Sequence, residues 1–451
     1  MKTENMTPDA RIATRRAALA VLPALWLAMM LGQGCGTLSR IDSVSTEADV
    51  ERLARTGNLQ TEVDAIAQPL IEAGHSPGIV VGVLMPDRTR QVFAYGVRDR
   101  ATQARPDGRT LFPVGSISKG FVAATAVQLV QAGSLSWSDT LEQCLPPGTR
   151  FSPDARKITL MQLAAHTSGL PRQPNTPRLL FTLIWYYFTG DNFYSNLDRD
   201  YLTEYLADFS APNPIQPRYS NIGYAYLSQV MELKTGRTAC DLVEEYVLRP
   251  LGLQQTGYTP DRLPGWPQRA RGYAGDEPRY VRRGRPVPEW SNPEALRSSV
   301  GLYSSAEDQL TFASAFLHGS NDARRDAAFK DTLRRRADPP PFAAAMAWTL
   351  DDSDGVPFAY QTGVMAGFTS YLGLDLEHRT AVVVLQNSLN WTDHVGRKLL
   401  VRIARALDRK TGWERGPAPT GAAAPQGEPG YGNVTAGSPG AGGVQGASSA
   451  P

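Results

Sequence analysis

An α+β protein, with one antiparallel sheet flanked by helices and a mainly helical domain inserted into it, is predicted by where the hydrophobic patterns fall. Strand-like runs lie at both ends of the chain: Gly78 to Met85 and Gln91 to Gly96 early, then Ala345 to Leu350, Phe368 to Leu374 and Thr380 to Leu385 late. Between them, Leu141 to Leu253 reads mostly as helices and loops. Strands at both ends with helices in the middle close most simply as one sheet built from both termini. The third observation is a strongly apolar helical run from Gly120 to Ala132 that carries polar residues, Ser116 and Lys119, at its threshold.

In chain order, the first 35 residues read as an export signal. Arg15 and Arg16 precede an apolar run from Ala17 to Leu31, followed by small residues and Cys35. About 15 apolar residues are few for a hydrocarbon core some 30 Å thick. Gly32-Gln33-Gly34-Cys35 resembles a bacterial lipoprotein box, which makes Cys35 the candidate lipidation residue and membrane anchor, although Gly32 stands where Leu is usual. Thr14-Arg15-Arg16 carries a weak twin-arginine hint. Residues 36–48 read as a linker, 49–410 as the folded domain with its helical part at about 120–290, and 416–451 as a disordered tail of Gly, Ala, Pro and Ser.

Composition narrows the function. The 451 residues are 42% hydrophobic and 20% charged, ordinary for a globular body of enzyme size. A net charge of +2 and a pI near 8.3, with Arg334-Arg335-Arg336 as the longest basic run, give no footing for nucleic-acid binding. His75, His166, His318, His378 and His394 are scattered and no Cys/His spacing suits zinc, so neither a metal nor another cofactor is expected. Cys144 and Cys240 are expected as buried thiols, with a disulfide as the alternative in an oxidising compartment.

Within the domain, Val50 to Ala73 reads as a helix and the two early strands as a hairpin turning at Pro86-Asp87. Ser116 and Lys119, three apart at a helix start, share a face, so an amine of lowered pKa can reach the hydroxyl and make it a nucleophile. The helix amides there favour developing negative charge. Thr159 to Pro171 reads as a helix closed by His166 and Gly169, and His166 as structural rather than a base. The aromatic stretch from Leu179 to Tyr194 is expected to pack on the core or form a lid, with contact to a bilayer as the alternative. Tyr219 and Asn221 flank Ser220 on a loop entering a helix: they either enter one cleft as phenol and carboxamide, or belong to a simple capping turn. Ser298 to Asp308 reads as a small-residue strand leading through a Ser cap into a helix, and Trp391 to Leu407 as a closing amphipathic helix.

Phe112 to Phe121, Ile158 to Pro171, Tyr219-Ser220-Asn221, Pro250-Leu251-Gly252-Leu253, Gly301-Leu302-Tyr303-Ser304 and Gln361-Thr362-Gly363 stand in the order seen in the serine β-lactamase and penicillin-binding-protein superfamily. The chain resembles class C β-lactamases, family VIII esterases and related D-Ala-D-Ala peptidases over about residues 50–408. The resemblance implies that Ser116 attacks a carbonyl, that Lys119 and Tyr219 share the base work in an order left open, and that Asn221 positions Lys119 and substrate. It places Gln361, Thr362 and Gly363 along the substrate, and the amides of Ser116 and Val364 around the oxyanion.

One position departs. Gln361 stands where the family has Lys, or His in many relatives, to help hold a substrate carboxylate and the tyrosine. A neutral amide weakens carboxylate recognition, since charge-assisted bonds are roughly twice as strong as neutral ones; Arg297 or another basic residue is the candidate substitute. The expected function is therefore a serine hydrolase that forms an acyl-enzyme on a small-molecule or peptidoglycan-like ester or amide. The alternatives are a D-Ala-D-Ala carboxypeptidase or β-lactamase, and a non-catalytic envelope scaffold. Oligomeric state is not encoded in these motifs.

Overall fold

The computed structural model describes residues 46–337, 343–352, 355–390 and 394–411. The export signal with Cys35, nearly all of the linker and the Gly/Ala/Pro tail lie outside the described residues.

The N-terminal helical pattern is two helices, not one. Helix α1 (Glu47–Thr56) is capped by Thr46 and ends at Gly57, whose φ of 63° takes the left-handed conformation glycine adopts without strain; α2 (Leu59–Glu72) restarts on the Asn58 cap. The hairpin follows as β1 (Gly78–Leu84) and β2 (Arg90–Gly96). The short strand β3 (Phe112–Pro113) leads through a 3-10 turn at Gly115–Ile117 into α3 (Ser118–Gln131). The helical insertion contains α4 (Leu160–Ala164), α5 (Pro177–Thr189) and α6 (Asn221–Thr235), and α7 (Glu294–Val300) returns the chain to the sheet side. Strand β4 (Tyr303–Ser304) pairs with β3, and Ser305 caps α8 (Ala306–His318). The sheet is completed by β5 (Ala343–Ala344), β6 (Thr349–Asp351), β7 (Phe358–Met365), β8 (Phe368–Asp375) and β9 (Thr380–Gln386), and α9 (Val395–Thr411) closes the fold.

The seven-stranded sheet runs β2-β1-β9-β8-β7-β6-β5 with every pair antiparallel. As the sequence predicts, both ends supply it: β1 near the start lies against β9 near the end. Both strands are buried along their length, so their side chains split by the period of two. Ile79, Val81, Val83, Val382 and Val384 pack with α1, α2 and α9 on one face; Val80, Leu84, Ala381, Val383 and Leu385 join α3, α8 and the helical insertion on the other.

Three local expectations differ from the structure. Ser298, Ser299 and Val300 are the last residues of α7 rather than a strand, because they cover α6 and α3 with a helical face and only Tyr303–Ser304 remain to pair. Ala345 to Trp348 form the turn between β5 and β6, not a strand interior. The aromatic helix α5 buries Leu179 and Tyr186 but leaves Leu180, Phe181, Trp185 and Phe188 each more than half exposed, so packing accounts for one of its faces. Cys144 and Cys240 are free thiols.

The helices on the first face are joined by charge. Arg402 of α9 donates to Glu62 of α2 at 2.6 Å and to Asp49 of α1 at 3.2 Å, and Arg52 of α1 reaches Glu62 at 2.7 Å and Asp49 at 2.8 Å. Glu62 and Arg402 are buried, so losing the Glu62 charge removes a 2.6 Å ion pair from a site with little solvent. Glu62→Gln is expected to lower unfolding free energy by about 1.5–3 kcal/mol, read from urea denaturation at pH 7; an unchanged midpoint would show that Asp49 and water replace the carboxylate.

Candidate active site

Helix α3 is buried on nearly every side, and Phe121 stacks on Phe312 of α8 at 3.8 Å. A helix apolar all round belongs in a core, so the polar residues at its start are carried inward with it. Ser116 is 9% exposed and Lys119 1%. The turn between them is pinned by its own groups: the Ser118 hydroxyl donates to the Gly115 carbonyl at 2.5 Å and accepts the Leu302 amide at 3.2 Å, and the Val114 amide donates to the Leu302 carbonyl at 2.9 Å.

Lys119 Nζ donates to Ser116 Oγ at 3.0 Å and to the Ser299 carbonyl at 3.1 Å. Burial, followed by the nearby charge of Arg172, holds the amine well below its ordinary pKa. The Ser299 carbonyl is a member the sequence reading missed; a backbone group at a helix end leaves no residue-type signal.

Strand β7 approaches the turn from the sheet side without room for side chains. Gly115 has φ 52°, and a Cβ there would fall 2.8 Å from the backbone N and O of Val364. A Cβ on Gly363 would fall 2.0 Å from the Val114 carbonyl, and one on Gly120 would fall 2.3 Å from Gln361 Nε2. The Val364 backbone therefore lies against Gly115, the residue before Ser116. Gln361 is 4% exposed on the α3 side of the sheet, and neither its Nε2 nor its Oε1 has a hydrogen-bond partner among the described residues. Thr362 is registered with Tyr371 and through it with Val384, on the opposite sheet face, so Thr362 and Val364 flank the turn by backbone rather than side chain.

The third wall comes from the insertion. Ser220 caps α6 by accepting the Gly223 amide at 2.9 Å. The capping turn is present, and it places Tyr219 beside Lys119, whereas the bonds of Lys119 go to Ser116 and the Ser299 carbonyl and the Asn221 amide turns to Tyr194. The Tyr219 ring centroid is 5.2 Å from Lys119 Nζ and 4.5 Å from the His166 ring. Asn221 Nδ2 donates to the Tyr194 hydroxyl at 2.8 Å, while its buried Oδ1 has no hydrogen-bond partner in the structure. Arg172 lies over Tyr219 at 5.2 Å from the ring centroid, hydrogen-bonds Tyr194 and accepts the Asn221 amide on its carbonyl at 3.0 Å. Arg172 and Tyr194 were not singled out in the sequence, where an isolated Arg and one Tyr among many carry no pattern. Arg297 is exposed on α7 and its charge acts on Cys240, away from this cleft.

His166 is structural, as expected, but in a different way from capping its own helix. Its φ of 58° turns both its backbone and its ring toward the Tyr219 loop: its carbonyl accepts the Arg218 amide at 2.7 Å and Nδ1 accepts the Ser220 amide at 3.1 Å. Burial, with Lys119 and Arg172 nearby, pushes its pKa from 6.5 to about 3. Among the described residues no group of His, Cys, Asp or Glu is placed to hold a metal.

A serine hydroxyl hydrogen-bonded by an amine of lowered pKa, with a phenol beside that amine, is an arrangement in which the amine or phenol can take the hydroxyl proton as the oxygen attacks a carbonyl. The profile of the β-lactamase family matches residues 63–406. The chain belongs to the β-lactamase family. It is a serine hydrolase related to these enzymes. It is 27% identical over 331 residues to the D-alanyl-D-alanine-carboxypeptidase/endopeptidase AmpH of Escherichia coli K12, across 69% of this chain and 80% of that protein. Its fold is that of a class C β-lactamase from Rhodobacter sphaeroides, with a TM-score of 0.64 at 23% identity over 76% of this chain and 99% of the other. It is equally that of a D-alanine carboxypeptidase AmpC from Burkholderia cenocepacia, with a TM-score of 0.62 at 21% identity over 76% and 98%.

The His166 geometry sets a pH dependence. An unfolded imidazole protonates near 6.5 and the folded one only near 3, so its contribution is complete above pH 6.5 and is lost as pH falls through that window. Relative to His166→Leu, the wild-type unfolding free energy should fall by about 1.4 kcal/mol per pH unit between pH 6 and 4. The variant should also lose about 1–3 kcal/mol at pH 7 from the unpaired Ser220 amide. Urea midpoints for both proteins across that range test this; parallel curves would sink it.

Proposed function

We propose that this β-lactamase-related hydrolase acylates Ser116 and hydrolyses esters or amides that lack a carboxylate beside the scissile bond. The observation that carries this reading is the 3.0 Å bond between Ser116 Oγ and the buried amine of Lys119, set beside the neutral Gln361. Ser116 Oγ attacks the carbonyl carbon while its proton passes to Lys119 or Tyr219, and the oxyanion forms between the Ser116 and Val364 amides. The base returns the proton to the leaving group, and water then releases the acyl group from Ser116. A second reading, a D-Ala-D-Ala carboxypeptidase or β-lactamase of the cell envelope, is favoured by the likeness to AmpH. With either substrate we place the protein outside the cytoplasm, tethered through a lipid on Cys35; Cys35→Ala should move it from the membrane to the soluble fraction.

The deciding measurement is intact mass after mixing with benzylpenicillin, alongside p-nitrophenyl ester turnover, for the wild type and Ser116→Ala. Ester turnover without a lasting penicillin adduct is the expected result, with kcat lowered by about 10³-fold or more in the variant. A lasting adduct on Ser116 would replace this reading with the peptidase, and a transient one with hydrolysed drug with the β-lactamase. Reaction with neither substrate would bring forward the non-catalytic scaffold.

A further inference from the structure

The groups that set the charge of the cleft come from four parts of the chain: Lys119 from α3, His166 from the loop after α4, Arg172 from the segment before α5, and Gln361 from β7. The phenols Tyr219, Tyr194 and Tyr224 face them, Tyr224 with its hydroxyl bonded to the Ala164 carbonyl at 2.8 Å. Lys119 is held well below its ordinary pKa, His166 is neutral above about 3, and Gln361 carries no charge. A guanidinium does not deprotonate in proteins. Of these four groups, Arg172 is therefore the one whose positive charge does not titrate in the working pH range.

Its placement is fixed at both ends. The backbone accepts the Asn221 amide at 3.0 Å, and the guanidinium hydrogen-bonds the Tyr194 hydroxyl. That leaves Cζ 5.2 Å from the Tyr219 ring centroid, the same distance at which Lys119 Nζ stands. A planar cation suits such a position over an aromatic face better than an ammonium.

We infer that Arg172 is a positioning residue for the acylation base, supplying from the helical side the positive charge that β7 lacks at Gln361. The inference rests on the reading of Ser116 as nucleophile and does not depend on which partner takes its proton. A cation nearby makes the ammonium of Lys119 less favourable and the phenolate of Tyr219 more favourable, and both changes keep the pair ready to accept a proton. Charge lost at one strand position is thereby restored from a different element, with no contact to the reacting atoms required.

The test is the pH profile of kcat/KM for a neutral p-nitrophenyl ester, measured on the full chain. Without the cation, the proton-accepting groups hold their protons to higher pH, so the acidic limb should rise. Arg172→Gln is expected to raise that limb by about one pH unit, costing about tenfold on the acid side and little on the alkaline plateau. Arg172→Lys should stay near the wild type, and the double variant Arg172→Gln/Gln361→Lys should bring the limb back down. A limb at unchanged pH in Arg172→Gln, with activity lost evenly across the profile, would overturn the inference in favour of packing. A rise in KM alone would overturn it in favour of substrate contact. Full activity in Ser116→Ala would instead remove the reading on which it rests.

Discussion

Burial of the Lys119 amine is the constraint from which the rest of the site follows. An ammonium in a dry interior is costly unless it is paired, and the hydrogen bonds recorded for Lys119 go to a neutral hydroxyl and a neutral carbonyl. Burial therefore favours the amine over the ammonium, the more so the better the surround excludes water. The helix carrying it is packed by α8, by the insertion and by the sheet, and two tyrosine rings lie within 6 Å of Nζ. The enclosure shifts the pair toward hydroxyl and amine, since the same pair in water would be an alcohol and an ammonium.

The sheet contributes proximity more than side chains. Glycines at 115, 120 and 363 each occupy a point where an added carbon would strike β7 or its neighbours, so the strand lies against the nucleophile turn backbone to backbone. The pleat then decides roles at 361–364. Gln361 faces the site, whereas Thr362 and Val364 bear on it through their peptide groups.

The insertion supplies electrostatics through a loop whose conformation is set elsewhere. His166, in a left-handed conformation, holds the Arg218 and Ser220 amides, and Arg172 holds the Asn221 amide, so the loop is fastened at three backbone points on either side of Tyr219. The cap on α6 leaves Tyr219 facing Lys119 and Arg172. Both fastening residues also carry or respond to charge, which ties the shape of the loop to the protonation of the site.

Much of this was legible in the amino-acid sequence. Periodicity placed the early hairpin, β8, β9 and the buried helix α3, because these segments are apolar enough for their environment to show in composition. The spacing of Ser116 and Lys119 fixed their mutual reach, since one helical turn fixes geometry locally. Strand β7 did not announce itself by pattern: Gln361, Thr362 and Gly363 are polar or small for reasons of close approach, and only the resemblance pointed to them. The break at Gly57 and the helical end at Ser298 to Val300 were misread because a capping glycine and small residues are compatible with several local structures. Arg172, Tyr194 and the Ser299 carbonyl were invisible for a different reason. They meet Lys119, Tyr219 and Asn221 only when segments far apart in the chain are folded together, and the charge of a buried site is a sum over those neighbours that no local stretch contains. The sequence by itself determined the early hairpin, β8, β9, α3 and the pairing of Ser116 with Lys119, because each is set by a local pattern; the tertiary structure decided what surrounds that pair, because those neighbours meet only through space.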